Sequence, residues 1–419
     1  MKFNKITILL IICAFSVLFS CSKDNSPTDT NTDPGTDTAY ANVTWTANTI
    51  KFEANDVIES DSSYNNVSFS SENTKAKNLQ VGDILFIYGK ALKKVYSVTE
   101  NSGNITVETE DCTLNEAISN GEIVWNKNLR WTEDLIQGVK IDSKYPTIQK
   151  ILGNTVEFSF PVGNGMTGKI KMILNQERLD ATCEITKEVG VAKIRYAFEG
   201  FVQKIRSEGK IKYENQELKE FKYVNSNIEG EVTVSLTATG SSSDLLGGIE
   251  LPLVLIKVPL LIGGIPCVFN VKMLFVINTE MASIDASAHI KTKFKFNSTT
   301  GVKYDGTDVG IVGSAGPYNM DFVKDSCWVG SSVAAGINFG LTFPRFELGI
   351  FGNIVVPYVH TAFLIGGSFT AGTKPCLKAD ASFIGAAGYN FNFFGLLKFN
   401  GKKNLWQLDQ NIKKIGQCD

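Results

Sequence analysis

Histidine is scarce in this chain, with only His289 and His360 among 419 residues. His289 lies among lysines on the polar side of a predicted strand, and His360 lies in a predicted strand segment. Both histidines are expected to be ordinary strand residues, so neither is predicted to act as a general acid or base. No Gly-x-Ser-x-Gly segment occurs, which leaves a serine-hydrolase triad without support. No catalytic residue, metal ligand or cofactor site is therefore predicted.

Cysteine pairs at metal-binding or redox spacing are also lacking, because the eight cysteines contain no Cys-x-x-C segment. Lysine and arginine number 41 against 43 aspartates and glutamates, and no segment concentrates the basic residues. This balance argues against a nucleic-acid partner. An apolar run over residues 251–277 is interrupted by prolines, glycines and lysines, so it is predicted to form two buried strands joined at a turn over 262–265.

The first 20 residues have the layout of an export signal. Lys2 and Lys5 precede an apolar run over residues 6–19 that is too short to cross a bilayer as a helix. The segment Leu18-Phe19-Ser20-Cys21 resembles the lipobox of bacterial lipoproteins, with Phe19 bulkier than the usual residue at that position. The resemblance implies cleavage after residue 20 and a lipid on Cys21. An ordinary secretory signal with an incidental cysteine is the alternative.

Residues 21–40 are predicted to be a flexible tether, because they contain almost no side chain that could join a core. The segment Ser22-Lys23-Asp24-Asn25 resembles the short acidic export signal of Bacteroidota surface lipoproteins. Asp37-Thr38-Ala39 resembles the O-glycosylation motif of that phylum, which makes Thr38 a candidate glycosylation site. These resemblances imply an outer-membrane location, with the membrane as partner through the lipid anchor and with surface display as a further expectation.

Beyond the tether the chain is predicted to be mainly antiparallel β, with a β module over 41–130 and a larger β-sandwich or barrel-like domain over 131–419. Strands flank a polar turn over 99–104, and the Thr113 to Glu116 spacing predicts a capping box and one short helix. The clearest alternation runs from Ile284 to Phe296, with apolar residues on one face and lysines on the other. A second helix is predicted near 133–139. The module also resembles one found in bacterial surface proteins of unassigned function, which implies no activity.

Six cysteines remain once Cys13 leaves with the signal and Cys21 carries the lipid. An even number in an exported protein predicts disulfides, with plain burial as the alternative. Cys418 is predicted to pair with Cys376 and so to hold the C-terminal segment against the sheet. Cys267 and Cys327 are the other partners considered, and a free thiol is the alternative.

Three functions remain open from the sequence. The preferred one is a non-enzymatic, lipid-anchored envelope protein with a binding or structural role, its partner a surface glycan or an envelope protein. The second is a glycan-active enzyme built on paired carboxylates. The third is a carrier or pore for an apolar ligand, suggested by the glycine- and phenylalanine-rich residues 331–397. Candidate carboxylates for the enzyme are Glu108, Glu110, Asp111, Glu133 and Asp134; Asp305 and Asp308 flank a turn that offers oxygens to Ca²⁺.

Overall fold

Strands dominate the structure, which confirms the prediction of a mainly antiparallel β protein with little helix. The computed structural model describes residues 37–101, 103–142, 147–163, 165–189, 192–239, 253–281, 288–314, 318–322, 328–329, 335–351, 354–370, 376–393 and 397–417. These residues form three sheets of six, 13 and seven strands. Within these ranges no helix is long and apolar enough to cross a membrane.

The first eight strands and both α-helices come from residues 38–128: β1 (Thr38–Trp45), β2 (Thr49–Phe52), β3 (Val57–Ser60), β4 (Asn66–Ser70), α1 (Thr74–Lys77), β5 (Ile84–Ile87), β6 (Ala91–Asn101), β7 (Asn104–Asp111), α2 (Leu114–Ala117) and β8 (Ile118–Asn128), with a 3-10 helix at Ala54–Asp56. The six-stranded sheet has the order β2-β5-β6-β7-β4-β3. Its alternating apolar side chains form a small core of their own that includes Val67, Phe69 and Val107, none more than 1% exposed. The predicted hairpin is present as β6 and β7, with strands that extend further into the polar segment than expected.

The predicted capping box and helix are confirmed at α2. The amide and the hydroxyl of Thr113 both donate to Glu116 Oε2 at 2.8 Å, which satisfies groups that the helix leaves without an internal partner. Glu116 also accepts from Lys94 Nζ at 3.1 Å. Burial raises the pKa of the Glu116 carboxyl, but the bonds from Thr113 and Lys94 lower it by more. Leu114 and Ala117 are buried, so this short helix connects the module to the main core.

The middle of the chain supplies β9 (Lys140–Asp142), β10 (Ile148–Leu152), β11 (Thr155–Gly163), β12 (Met166–Asn175), β13 (Arg178–Val189), β14 (Ala192–Gln203), β15 (Arg206–Glu214) and β16 (Glu217–Thr239). The second predicted helix is a 3-10 helix, Glu133–Gly138, which buries Leu135 and Ile136. One edge of β16 pairs first with β15 and then with β14. On the other edge of β16, a register shift between Asn225 and Ile228 interrupts the pairing with residues 288–304. Irregularities of this kind increase the local twist of a sheet and make it curl.

The remaining strands are β17 (Leu253–Ile262), β18 (Ile265–Met281), β19 (Ala288–Tyr304), β20 (Val309–Ser314), β21 (Tyr318–Phe322), β22 (Trp328–Val329), β23 (Ala335–Ile350), β24 (Ile354–Thr370), β25 (Cys376–Phe393) and β26 (Leu397–Gly416). Strand β19 pairs with the free edge of β16. It shows the predicted alternation, with Phe294 and Phe296 buried and Lys295 exposed; residues 284–287 of that prediction lie outside the described ranges. The predicted two-strand hairpin over 251–277 is confirmed as β17 and β18, whose turn places Gly263 and Gly264 at φ values of 56° and 86°.

The seven-stranded sheet has the order β26-β25-β24-β23-β18-β17-β9 and packs face to face on the 13-stranded sheet. Ring contacts cross the layer between them, with Tyr223 stacked on Phe269 at a centroid distance of 6.3 Å and Phe198 edge-on to Phe343 at 5.7 Å. The 13-stranded sheet also includes β1 and β8, because β8 pairs with both β1 and β15. The segments predicted as module and larger domain therefore share the 13-stranded sheet and the main core, while the six-stranded sheet keeps its own small core.

Candidate functional site

Basic side chains gather on the outer face of the seven-stranded sheet. The register of β9, β17 and β18 places Lys140 and Lys272 on either side of Leu255. Arg345 of β23 lies directly opposite Lys272, and Lys257 follows Leu255 by two residues. Residues two apart on a strand, and residues paired across strands, share a face of the sheet. We call the resulting set the cationic strip: Lys140, Lys257, Lys272, Arg345 and Glu347.

The same strands are apolar on their other face, which explains why these charges point outward. Ile256, Phe269 and Val271 alternate with the charged positions and are at most 2% exposed in the shared core. The side chain of Phe346, between Arg345 and Glu347, is 1% exposed in that core. Hydrophobic burial thus fixes the register, and the register brings charges from four strands together.

Glu347 is the acidic member of the strip and is 7% exposed. Its Oε2 lies 2.6 Å from Lys272 Nζ, and its Oε1 lies 2.7 Å from a terminal nitrogen of Arg345. One buried carboxylate therefore neutralises part of the charge of two cations. Such charge-assisted contacts are strong because the surrounding protein keeps water away.

Lys257 lies beside this network without a carboxylate of its own among the described residues. Partial burial lowers the pKa of its ammonium group, and the positive charges of Lys140 and Lys272 lower it further. Among the strip side chains that the structure describes, four cations face one carboxylate, and the backbone register places Asp142 on the same face, two residues from Lys140. The arrangement is therefore suited to holding an anion, whose charge would offset the repulsion between the lysines.

A second polar group lies inside the core, on the inner face of the 13-stranded sheet. Asn225, Ser298 and Thr300 are at most 1% exposed, and their side-chain polar atoms have no partner at hydrogen-bonding geometry in the described part of the chain. Ser207, opposite Asn225, accepts a bond of 3.3 Å from Trp125 Nε1. Burial raises the pKa of Tyr223, and the nearby Asn225 amide lowers it by less. Buried water is the usual partner of such groups.

A surface depression of about 290 Å³ lies over β15, β16 and β19. Lysines line it, but most of them contact glutamates: Lys212 pairs with Glu214 at 2.7 Å, and Lys222 pairs with Glu208. Lys303 is exposed on the same surface. The cationic strip is distinguished from this surface by its burial and by its excess of positive charge.

The carboxylates proposed from the sequence are all exposed. Glu108, Glu110 and Asp111 lie on β7, where Asp111 pairs with Lys93 at 2.5 Å, and Glu133 and Asp134 open the 3-10 helix. A glycosidase acid requires a raised pKa. The described carboxyl groups with a shifted pKa are all lowered: Asp61, Glu116, Glu214, Glu217, Glu229 and Asp305. Within the described ranges, no group of three or more His, Cys, Asp or Glu residues could hold a metal ion.

The Asp305 turn satisfies its own carboxylate. Asp305 Oδ1 accepts bonds from the Thr307 amide at 3.0 Å, the Thr307 hydroxyl at 2.8 Å and the Asp308 amide at 3.0 Å. These bonds, led by the one from Asp308, lower the pKa of Asp305 to about 2. The geometry matches the turn-forming role of Asp-Gly segments, since three donors of the turn bind the same carboxylate oxygen.

We expect Asp305 to titrate near pH 2 by carboxyl-detected NMR. Its folded-state pKa lies below the unfolded value, so the turn's contribution to stability is present above pH 4 and is lost as the pH falls towards 2. Thr307→Ala removes one donor and should raise the Asp305 pKa. An unchanged Asp305 midpoint in that variant would contradict the assignment.

The structure corrects the disulfide prediction for three cysteines. Cys112, Cys183 and Cys267 are free and buried, so Cys267 is not the partner of Cys418. Burial raises the pKa of Cys112 to about 12 and also raises the pKa values of the other two thiols. Cys376 begins β25, and its backbone partner is Gly416 in β26. Cys418 lies outside the described residues, so its bond to Cys376 stays a prediction.

The glycosylation candidate lies in a strand. Thr38 is the first residue of β1 and pairs with Asn126, while Asp37 Oδ1 accepts from the Asn128 amide at 3.0 Å. The first strand therefore includes residues 38–40 of the predicted tether. Thr38 is half-buried, and its glycosylation stays a prediction. Cys21 lies outside the described residues.

The structure also places three tryptophans and both histidines. Trp125 and Trp131 are fully buried in the core, and Trp45 stacks on Phe86 at 4.5 Å. His289 pairs through its backbone with Thr237 in β16, and His360 pairs with Arg345 beside the cationic strip. The strip was missed from the sequence, because Lys140, Lys257, Lys272 and Arg345 are isolated charges that only the pairing of the strands brings together.

Comparison with protein families, with curated proteins and with solved structures found no match for this chain.

Proposed function

We propose that this protein is an outer-membrane lipoprotein whose folded part presents a binding surface to the envelope. The observation that carries the proposal is Cys21, which follows Leu18-Phe19-Ser20 at the end of a short apolar run preceded by Lys2 and Lys5. That layout is typical of a processed and lipidated N-terminus. A lipid on Cys21 would make the membrane the first partner of the chain.

The position of β1 supports an anchored domain. Residues 22–37 separate Cys21 from the first residue of β1, and a fully extended chain of that length spans at most about 55 Å. Strand β1 is the terminal strand in the order of the 13-stranded sheet. The chain that leads to the anchor would therefore join the fold at the terminal strand of a sheet.

The outer face of the seven-stranded sheet supports a binding role over a purely structural one. A structural surface is ordinarily covered by balanced ion pairs, as on β13 and β14, where Glu184 contacts Arg195 and Glu188 contacts Lys193. The cationic strip departs from that balance. Its excess charge favours a partner that carries negative charge.

Cys21→Ser should move the protein from the membrane fraction to the soluble fraction, because a hydroxyl cannot carry the thioether-linked lipid. Cys13→Ser is the matched control, since Cys13 lies in the same N-terminal segment and should be dispensable. Fractionation and the intact mass of the mature chain are the measurements. An unmodified Cys21 in the wild-type protein, or an unchanged membrane fraction for Cys21→Ser, would refute the anchor.

A further inference from the structure

We propose that the cationic strip and the adjacent β17–β18 hairpin tip bind an amphiphile with a phosphate head group. Lys140, Lys257 and Lys272 surround position 255, and their anchoring strands are neighbours about 5 Å apart. Three flexible ammonium groups on neighbouring strands can reach different oxygens of one phosphate. Lysine binds phosphate in this way, as a point charge. The proposal does not depend on the lipid at Cys21.

The charges of the cationic strip favour the binding of an added anion over a network of ion pairs made only by the protein's own residues. Glu347 already engages Lys272 and Arg345, whereas Lys257 is half-buried next to two like charges. A phosphate between Lys257 and Lys140 would restore the charge balance of this face. The carboxylate of Glu347 remains with its own two partners in that arrangement.

Apolar side chains continue the same face towards the hairpin tip. Pro259 and Leu261 follow Lys257 at two-residue spacing on β17, and both are exposed, Leu261 to 47%. Tyr88, 44% exposed, lies against Gly264 at the tip, where the Gly89 amide donates to the Gly264 carbonyl at 2.8 Å. A charged patch that continues into exposed Leu and Tyr matches a ligand with a charged head and an apolar tail.

The test uses three soluble probes that separate head from tail: dihexanoyl phosphatidic acid below its micelle concentration, dihexanoylglycerol and inorganic phosphate. The full chain carries Cys21→Ser in every sample, so that no attached acyl chain contributes. Binding is followed by isothermal titration calorimetry, and circular dichroism confirms the fold of each variant. Lys257→Gln and Lys140→Gln test the strip, Leu261→Ser tests the tip, and Lys303→Gln on the other sheet is the control.

Phosphatidic acid should bind at least about tenfold more tightly than either other probe, because only it engages both halves of the site. Lys257→Gln and Lys140→Gln should each weaken its binding by about tenfold, while Lys303→Gln leaves it unchanged. Leu261→Ser should weaken binding of phosphatidic acid but not of phosphate. Equal affinity for phosphatidic acid and dihexanoylglycerol, equal affinity for phosphatidic acid and inorganic phosphate, or wild-type affinity in both lysine variants would overturn the proposal.

Discussion

Gly209→Ala should destabilise the protein by roughly 3 kcal/mol or more, because the added methyl group would overlap a buried ring. A Cβ at Gly209 would lie 1.8 Å from the nearest atom of the Trp125 side chain, far inside van der Waals contact. Trp125 is fully buried, and its Nε1 donates to Ser207, so the ring has little room to move. Ordinarily, alanine in place of glycine within a strand stabilises by about 0.5–1 kcal/mol. The packing at this position reverses that sign.

Urea denaturation followed by circular dichroism measures the effect of Gly209→Ala as a lower midpoint at unchanged slope. Gly138→Ala is the matched control, because a Cβ there meets no atom within 4 Å. The control should retain wild-type stability within about 0.5 kcal/mol. Equal midpoints for the two variants would show that β8 and β15 do not pack through Trp125 and Gly209.

Glu347→Gln should destabilise the protein by roughly 2–3 kcal/mol, since it leaves Lys272 and Arg345 without their shared counter-charge. Glutamine keeps the size of the side chain, so the loss reports charge rather than packing. Removal of one charged partner from a fully buried network lowers the free energy of unfolding by more than these 2–3 kcal/mol. The side chains of Lys272 and Arg345 are 23% and 13% exposed, and solvent reduces the cost accordingly. Added salt should recover part of the loss by screening the remaining cations.

Glu188→Gln is the control for Glu347→Gln. The Glu188–Lys193 pair is about half exposed on both sides, so its loss should change the free energy of unfolding by less than about 0.5 kcal/mol. Urea denaturation at pH 7, at low and at high salt, gives both comparisons. A loss for Glu347→Gln no larger than that of the control would show that the strip is an ordinary surface network.

Much of the β fold was predictable because alternation is a local property. Phe294, Phe296 and Lys295 reveal the two faces of β19 within three residues. The Gly263-Gly264 turn was also predictable from the sequence, since its positive φ values favour glycine. The capping box at Thr113 depends on residues three apart in sequence. Each of these signals lies within one element or one turn.

Which strands become neighbours was not predictable from alternation. β8 pairs with β15, and β18 with β23, across long stretches of sequence. An alternating strand buries its apolar face against any partner of similar pattern, so pairing depends on how the whole core packs. The expectation of disulfides failed at three cysteines for a related reason. Cys112, Cys183 and Cys267 each fill a place in the core as a small apolar residue.

By itself, the sequence determined the strand-rich class and the two faces of several strands, because each is encoded in neighbouring residues. The export signal that ends at Cys21 stays a prediction from the same kind of local pattern. Only the tertiary structure assembled the cationic strip. Lys140, Lys257, Lys272 and Arg345 are isolated charges along the chain, in strands whose apolar faces are buried. Burial of those apolar faces set the register of four strands, and the register placed the charges side by side.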